Sequence, residues 1–267
     1  MPARFSATPP VPPSWLQDLA GAWIFYSVLP PWPGVPPRFE RIARFAPWVG
    51  LVIGGLQALL WWALEGHAPP LAQVCVVLAA GLLLTGGLHM DGAMDTADGL
   101  AAGERMLEAM RDSRVGASGA QALALVLLLK AAALATLGSG APGALVWAAL
   151  WGRMAPLLAV AWFPYLHPRG SAAFHRRHWA GLLPEGRPGL LAIGALLLLS
   201  LSRGWPLLGV AGALPALLVP GWLGRRLGGH SGDSYGACVE WTEVMALGVS
   251  AMAGVIAGAV ALSGPAG

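Results

Sequence analysis

The sequence predicts an all-α polytopic integral membrane protein: about seven transmembrane helices plus an N-terminal interfacial or half-inserted helix, in a single membrane-embedded domain over residues 1–267. Three observations carry that prediction. The chain is 56% hydrophobic and only 11% charged, with a mean hydropathy of +0.63, where a soluble domain carries about 25% charged residues. Its apolar residues form runs long enough to cross a hydrocarbon core of roughly 30 Å. Its arginines, finally, collect in alternate loops, as the positive-inside rule requires.

Residues 1–14 are Pro-rich and lack the basic start and apolar stretch of a signal peptide, so they read as a flexible tail. Residues 15–29 are apolar and aromatic but short, carry Asp18, and stop at Pro30, Pro31, Pro33, Pro36 and Pro37. That combination suits a helix lying in the interface or half inserted. Residues 45–64, 71–88, 119–137 and 142–163 are long enough to span. Two further runs, 189–202 and 205–223, are separated by Arg203 and Gly204, and a last span covers 243–262. No repeat of 20 to 50 residues stands out.

With the segment before residue 45 on the cytoplasmic side, these spans put Arg38, Arg41, Arg44, Arg105, Arg111, Arg114, Arg169, Arg176, Arg177, Arg187, Arg225 and Arg226 inside and leave Arg203 in an outer loop. The loops 89–118, 164–188 and 224–242 then share the cytoplasmic side, while the outer connections are short and nearly featureless. Function is expected on that side. No basic run interleaved with aromatics is present, which argues against a nucleic-acid partner. Cys75 and Cys238 are isolated in apolar surroundings and give neither a disulfide framework nor a thiolate metal site.

Residues 87–99 read Gly-Leu-His-Met-Asp-Gly-Ala-Met-Asp-Thr-Ala-Asp-Gly. At about 100° per residue, Asp91, Asp95 and Asp98 fall within roughly 60° of one another on one helix face. Three like charges so close repel unless a cation sits between them, and hard ions such as Mg²⁺ take carboxylate oxygens together with water and substrate phosphate. A helix from residue 71 through Gly99 would be about 43 Å long, so the acidic end can lie at or beyond the interface. Capping of a solvated helix end is the plainer reading, but it does not account for three carboxylates on one face with Gly92 and Gly99 permitting close approach.

A second acidic set lies near the C-terminus. A helix starting near Ser231 puts Asp233, Glu240 and Glu243 on a face spanning roughly 80°. Asp233 can also serve as a first-turn anion favouring the helix dipole, whereas acids entering an apolar span are functional candidates by default. Arg111 and Arg114 flank Asp112 and Ser113 before the next span. Arginine suits phosphate because its planar fork donates two hydrogen bonds and stays charged, although both residues also fit as positive-inside anchors. Arg153 sits midway along an apolar run, where anchoring is a poor explanation, while Lys130 reads as a snorkelling residue. His175 and His178 read as surface residues or anion contacts rather than a metal pair. Walker-type, His-Glu-x-x-His and Gly-x-Ser-x-Gly motifs are missing, which favours direct attack by a substrate hydroxyl over a covalent enzyme intermediate.

The stretches Gly87–Gly99, Arg105-Met-Leu-Glu-Ala-Met-Arg-Asp-Ser-Arg-Val-Gly116, and Arg226-Leu-Gly-Gly-His-Ser-Gly-Asp-Ser-Tyr-Gly-Ala237 followed by Glu240 and Glu243 resemble the cobalamin 5′-phosphate synthases, also called adenosylcobinamide-GDP ribazoletransferases. A shorter match lies at Phe25-Tyr-Ser-Val-Leu-Pro30. Ser231 stands where that family usually has Thr, a change that keeps the hydroxyl. Met90 and Met94 replace other apolar residues and leave the acidic positions untouched.

The resemblance implies the last step of coenzyme B12 assembly: α-ribazole or its 5′-phosphate attacks adenosylcobinamide-GDP with Mg²⁺ and releases GMP. It implies Asp91, Asp95 and Asp98 as metal ligands, one of them able to accept the hydroxyl proton. Asp112, Asp233, Glu240 and Glu243 complete the metal or base set, and Arg111, Arg114 and Arg153 hold phosphates. It also implies a bacterial or archaeal inner membrane, lipid as surroundings, a cytoplasm-facing site, and leaves a homo-oligomer open. Two other readings remain. A CDP-alcohol-type phosphotransferase also lines up membrane-surface aspartates, but its Ala-Arg after the first Asp-Gly and its later Asp-x-x-x-Asp do not occur in this stretch. An ion-coupled transporter would use buried acids, yet here the polar residues gather on one side.

Overall fold

The structure, a computed structural model, describes residues 12–167, 170, 172–202 and 209–263. Arg169, Arg203, the start of the run 205–223 and residues 1–11 of the tail lie outside the described residues. Regular structure among the described residues is helical, apart from one isolated bridge between Tyr165 and His230. In order, the helices are α1 Ser14–Tyr26, α2 Ala46–Leu64 (entered through a 3₁₀ turn, Ile42–Phe45), α3 Pro70–Thr85, α4 Leu88–Ala101, the single turn α5 Met106–Ala109, α6 Ala117–Leu137, α7 Ala141–Trp162, the short α8 Ala173–Arg177, α9 Leu182–Ser202, α10 Ala213–Leu227 and α11 Gly232–Ser263. Prolines open α2, α3 and α7 within the first turn, where a missing N–H costs no helical bond.

One expectation is corrected. The helix expected to run unbroken from residue 71 through Gly99 is cut at Gly86 and Gly87, and its halves α3 and α4 meet at 90°. Both glycines adopt left-handed backbone, with φ of 62° and 73°, a conformation glycine reaches without steric cost and which here closes the end of α3 through Gly87 N–H donating to Leu82 O. The hydropathy of the run carries no trace of this break. The count of about seven spans is not confirmed. Among the described residues four stretches are long and apolar enough to cross a membrane: Ile42–Leu64, Ala117–Trp162, Leu182–Leu201 and Gly232–Ala257, with a fifth if the bent α3–α4 pair counts as one span. The expected runs 119–137 and 142–163 fall in a single 46-residue stretch, divided at Gly138 into α6 and α7. What remains of 205–223 is α10, 15 residues long and ending in Arg225 and Arg226. At 13 residues α1 is also too short to span.

α7 and α11 form the middle of the assembly. One buried cluster joins the end of α2 (Trp61), the start of α3 (Val74, Val77), the end of α6 (Leu134), the start of α7 (Leu145) and the later part of α11 (Leu247). Another, at the opposite end, joins Ala93 of α4, Ala155 and Ala159 of α7, Leu223 of α10 and Cys238 of α11. α6 and α7 therefore run antiparallel about the Gly138 break. Lipid tails are as apolar as leucine, so packing inside a membrane depends on close fit more than on leaving water. α2 and α7 show that fit at Gly50 and Gly54, where an added Cβ would lie 2.5 Å from Ala149 O and 2.9 Å from Leu145 O.

Candidate active site

The acids of α4 meet those of α11 because two glycines let the backbones touch. A Cβ on Gly92 would lie 2.5 Å from Asp233 O, and one on Gly236 would lie 3.0 Å from His89 O. This crossing brings Asp91, Asp95, Asp98 and Asp233 into one electrostatic neighbourhood, with Asp95 feeling the charges of the other three. Among the described residues, Asp91, Asp95 and Asp233 have no ion-pair partner. The start of α11 is fixed by a reciprocal cap: Ser234 N–H donates to Ser231 Oγ at 3.2 Å and Ser231 N–H to Ser234 Oγ at 2.8 Å. Ser231 is thus the N-cap, a role its hydroxyl fills and that the hydroxyl of Thr also can.

Asp98 differs from its neighbours. Its two oxygens accept the backbone N–H groups of Gly116 and Gly119, each at 2.8 Å, so it caps α6 from another helix. The loops expected on one side do converge here. Arg111 Nη2 lies 2.8 Å from His167 Nδ1, and Leu166 N–H donates to His230 O at 2.8 Å while His230 N–H donates to Pro164 O at 2.9 Å. Burial and the Arg111 charge push the His167 pKa below its ordinary value. Asp112 stands apart from the acid cluster and pairs with exposed Arg114, at 2.6 Å. That hydrogen-bonded partner holds its pKa down at about 2.

Glu240 and Glu243 lie deeper and are not part of the aspartate wall. Lys130 Nζ donates to Glu240 at 2.6 Å and to Glu243 at 2.5 Å, and Glu243 also pairs with Arg153. The snorkelling expected of Lys130 is therefore overturned: the residue is only 8% exposed, because two carboxylates inside the bundle offer its ammonium more than the distant interface does. Two acids and two bases balance in charge there, with Gln57 at the edge of the same small recess. The arginines before α2 are also more than anchors. Arg38 donates to Asp18 at 2.6 Å, Arg44 pairs with the same carboxylate, and Arg41 reaches Glu185 at 2.7 Å. Both acids are buried, and these pairs fasten α1 and the start of α9 to the 3₁₀ turn.

Behind the aspartate wall lies a cavity of about 130 Å³, reached by Asp91, Asp233 and Arg153 and otherwise lined by Tyr26, His89, His175 and Tyr235 among apolar neighbours. Arg153 is 3% exposed and lies between this cavity and the Lys130 recess. Its Nε has no hydrogen-bond partner. Sequence reasoning does not single out Tyr26, His89 or Tyr235, although all three lie inside the stretches that carry the resemblance. His175, read there as a surface residue or anion contact, is instead 7% exposed; its burial pushes the pKa down to about 4 and keeps it neutral. The visible signal was aromatic and imidazole residues beside the acids, which on a sequence look like ordinary core.

A family model described as cobalamin-5-phosphate synthase matches residues 18–251. The chain is 59% identical over 248 residues to a protein of Prochlorococcus marinus (strain MIT 9303) named adenosylcobinamide-GDP ribazoletransferase, covering 88% of this chain and 95% of that one. Proteins of the same name from Thermosynechococcus vestitus and Synechocystis are 44% and 40% identical, the alignments covering 86% and 87% of this chain and 94% of each relative. No solved structure matches.

Proposed function

The chain belongs to the cobalamin-5-phosphate synthase family, and we propose that its active centre is the acid-lined mouth between α4 and α11. The reaction is the last step of adenosylcobalamin nucleotide-loop assembly, in which adenosylcobinamide phosphate passes from adenosylcobinamide-GDP to α-ribazole or α-ribazole 5′-phosphate and GMP leaves. A ribose hydroxyl oxygen bonds to the phosphorus that carries cobinamide. The bond from that phosphorus to the bridging oxygen breaks, GMP departs with the bridging electrons, and the hydroxyl proton goes to a carboxylate of the wall.

One observation carries this reading: Asp91, Asp95 and Asp233 gather on one wall beside a cavity without any cation paired to them among the described residues. Hard oxygen donors in excess of positive charge fit Mg²⁺. Although no three His, Cys, Asp or Glu side chains among the described residues form a ready-made cage, Mg²⁺ keeps several waters and needs only one or two carboxylates together with substrate phosphates. Mg²⁺ bound there supplies charge neutralisation for the pyrophosphate and the departing GMP. Asp91 and Asp95 would hold it together with water and substrate phosphate, while Asp98 and Asp233 add negative charge to the same wall. Arg153, held in place by Glu243, sets a positive charge behind the wall that attracts substrate phosphate. Arg111 and Arg114 meet phosphate at the mouth, and Asp112 orients Arg114. The arginine distribution supports a mouth facing the cytoplasm of a bacterial cell.

The test is GMP release from adenosylcobinamide-GDP plus α-ribazole 5′-phosphate, with and without Mg²⁺. The wild type is expected to release GMP only with the metal, and Asp91→Asn and Asp95→Asn each to lose about 10²-fold or more, the usual scale for a group that stabilises developing charge. Full metal-dependent activity in variants that insert normally overturns the ligand assignment.

A further inference from the structure

We propose that the cavity behind the aspartate wall binds the flat heterocyclic base of the acceptor nucleoside, with the Nδ1–H of His175 donating to the base's unsubstituted ring nitrogen. This rests on the transferase reading above. The cavity has a volume of about 130 Å³, on the scale of a bicyclic ring. Its rings share an orientation: Tyr26 lies 19° from the plane of His89 and 7° from that of His175, with centroids 6.2 and 6.5 Å away. Phe25 closes the side edge-on to Tyr26 at 4.9 Å. A planar aromatic ligand is the shape such a slot favours.

Polar chemistry narrows the choice. His175 is buried and its Nδ1 has no hydrogen-bond partner, while its Nε2 lies 3.4 Å from the Tyr26 hydroxyl. In the arrangement proposed, the Tyr26 hydroxyl donates to Nε2 across that 3.4 Å, which leaves the imidazole proton on Nδ1. On two residues that line the cavity, His175 Nδ1 and Arg153 Nε are buried without a partner, and both are then donors. The benzimidazole of α-ribazole has one hydrogen-bonding ring atom, an acceptor nitrogen, and otherwise apolar edges. Guanine, from the other substrate, adds two donor groups whose carboxylate acceptors in the lining, Asp91 and Asp233, are the groups the transfer itself needs. Asp91 and Asp233 stand where the cavity opens, so a base seated inside presents its ribose to the acids.

The experiment measures binding of α-ribazole to the purified full-length protein by calorimetry, without Mg²⁺ or adenosylcobinamide-GDP, so that no turnover is needed. His175→Phe keeps a ring but removes the donor and is expected to weaken α-ribazole about tenfold, the scale of one buried hydrogen bond. His175→Asn, whose amide nitrogen falls near Nδ1, is expected to restore most of it. An indole riboside, with C–H in place of the ring nitrogen, should bind the wild type about tenfold more weakly than α-ribazole, yet bind His175→Phe as well as α-ribazole does. GMP affinity should be the same in all three proteins. If the wild type releases GMP in the transfer assay but nitrogen replacement and His175→Phe act independently, or if His175→Phe weakens GMP and GMP displaces α-ribazole, the inference is overturned while the transferase reading stands. Loss of GMP release in the wild type with α-ribazole binding as described overturns the transferase reading instead.

Discussion

Asp98 receives the two N–H groups of Gly116 and Gly119 at 2.8 Å, while Asp91 and Asp95, on the same face of α4, pair with no cation among the described residues. The three residues therefore answer differently to the same substitution. Asp98→Ala strands two donors at the start of α6 and is expected to lower stability by about 1–3 kcal/mol, read as a lower melting temperature in detergent. Asp91→Ala removes a like-charge repulsion and should leave melting in the absence of metal unchanged or raised; equal destabilisation by both would count against the division of labour. The spacing of zero, four and seven made the three carboxylates visible in the sequence but could not separate them. What distinguishes Asp98 is a loop 18 to 21 residues away, and its glycines are needed because a Cβ on Gly119 would lie 2.4 Å from the carboxylate.

Among the elements, the helices were largely legible because long apolar runs between proline and glycine are written in composition. Their breaks and close approaches were not. Gly86 and Gly87 turn α4 through 90° without altering hydropathy, and this turn lays the acids against α11 rather than continuing the axis of α3. Gly50 and Gly54 have the spacing of a close-approach motif, and the structure shows the partner, α7. Gly54→Val is expected to push α2 from the Leu145 carbonyl, costing about 1–3 kcal/mol by overpacking, with thermal unfolding as the measurement. Gly55, whose added Cβ meets nothing within 4 Å, is the control and should tolerate Ala with little change.

Across the molecule, Lys130, Arg153, Glu240 and Glu243 show why intramembrane charges had to be read in pairs. Lys130→Met leaves Glu240 without its partner inside the bundle and is expected to cost about 3–5 kcal/mol, whereas Lys130→Met combined with Glu240→Gln should recover most of that. Resistance to unfolding in detergent measures both, and additive losses would show that the pair does not interact. The sequence by itself determined an all-helical membrane protein, the gathering of its polar loops, and the acidic residues, since hydropathy, arginine placement and helical spacing are properties of neighbouring residues. The tertiary structure decided which acids stay unpaired, which become caps or ion-pair partners, and which rings enclose the cavity beside them. Each of those depends on contacts between residues tens to more than a hundred positions apart, set by helix crossings at glycine that no local pattern encodes.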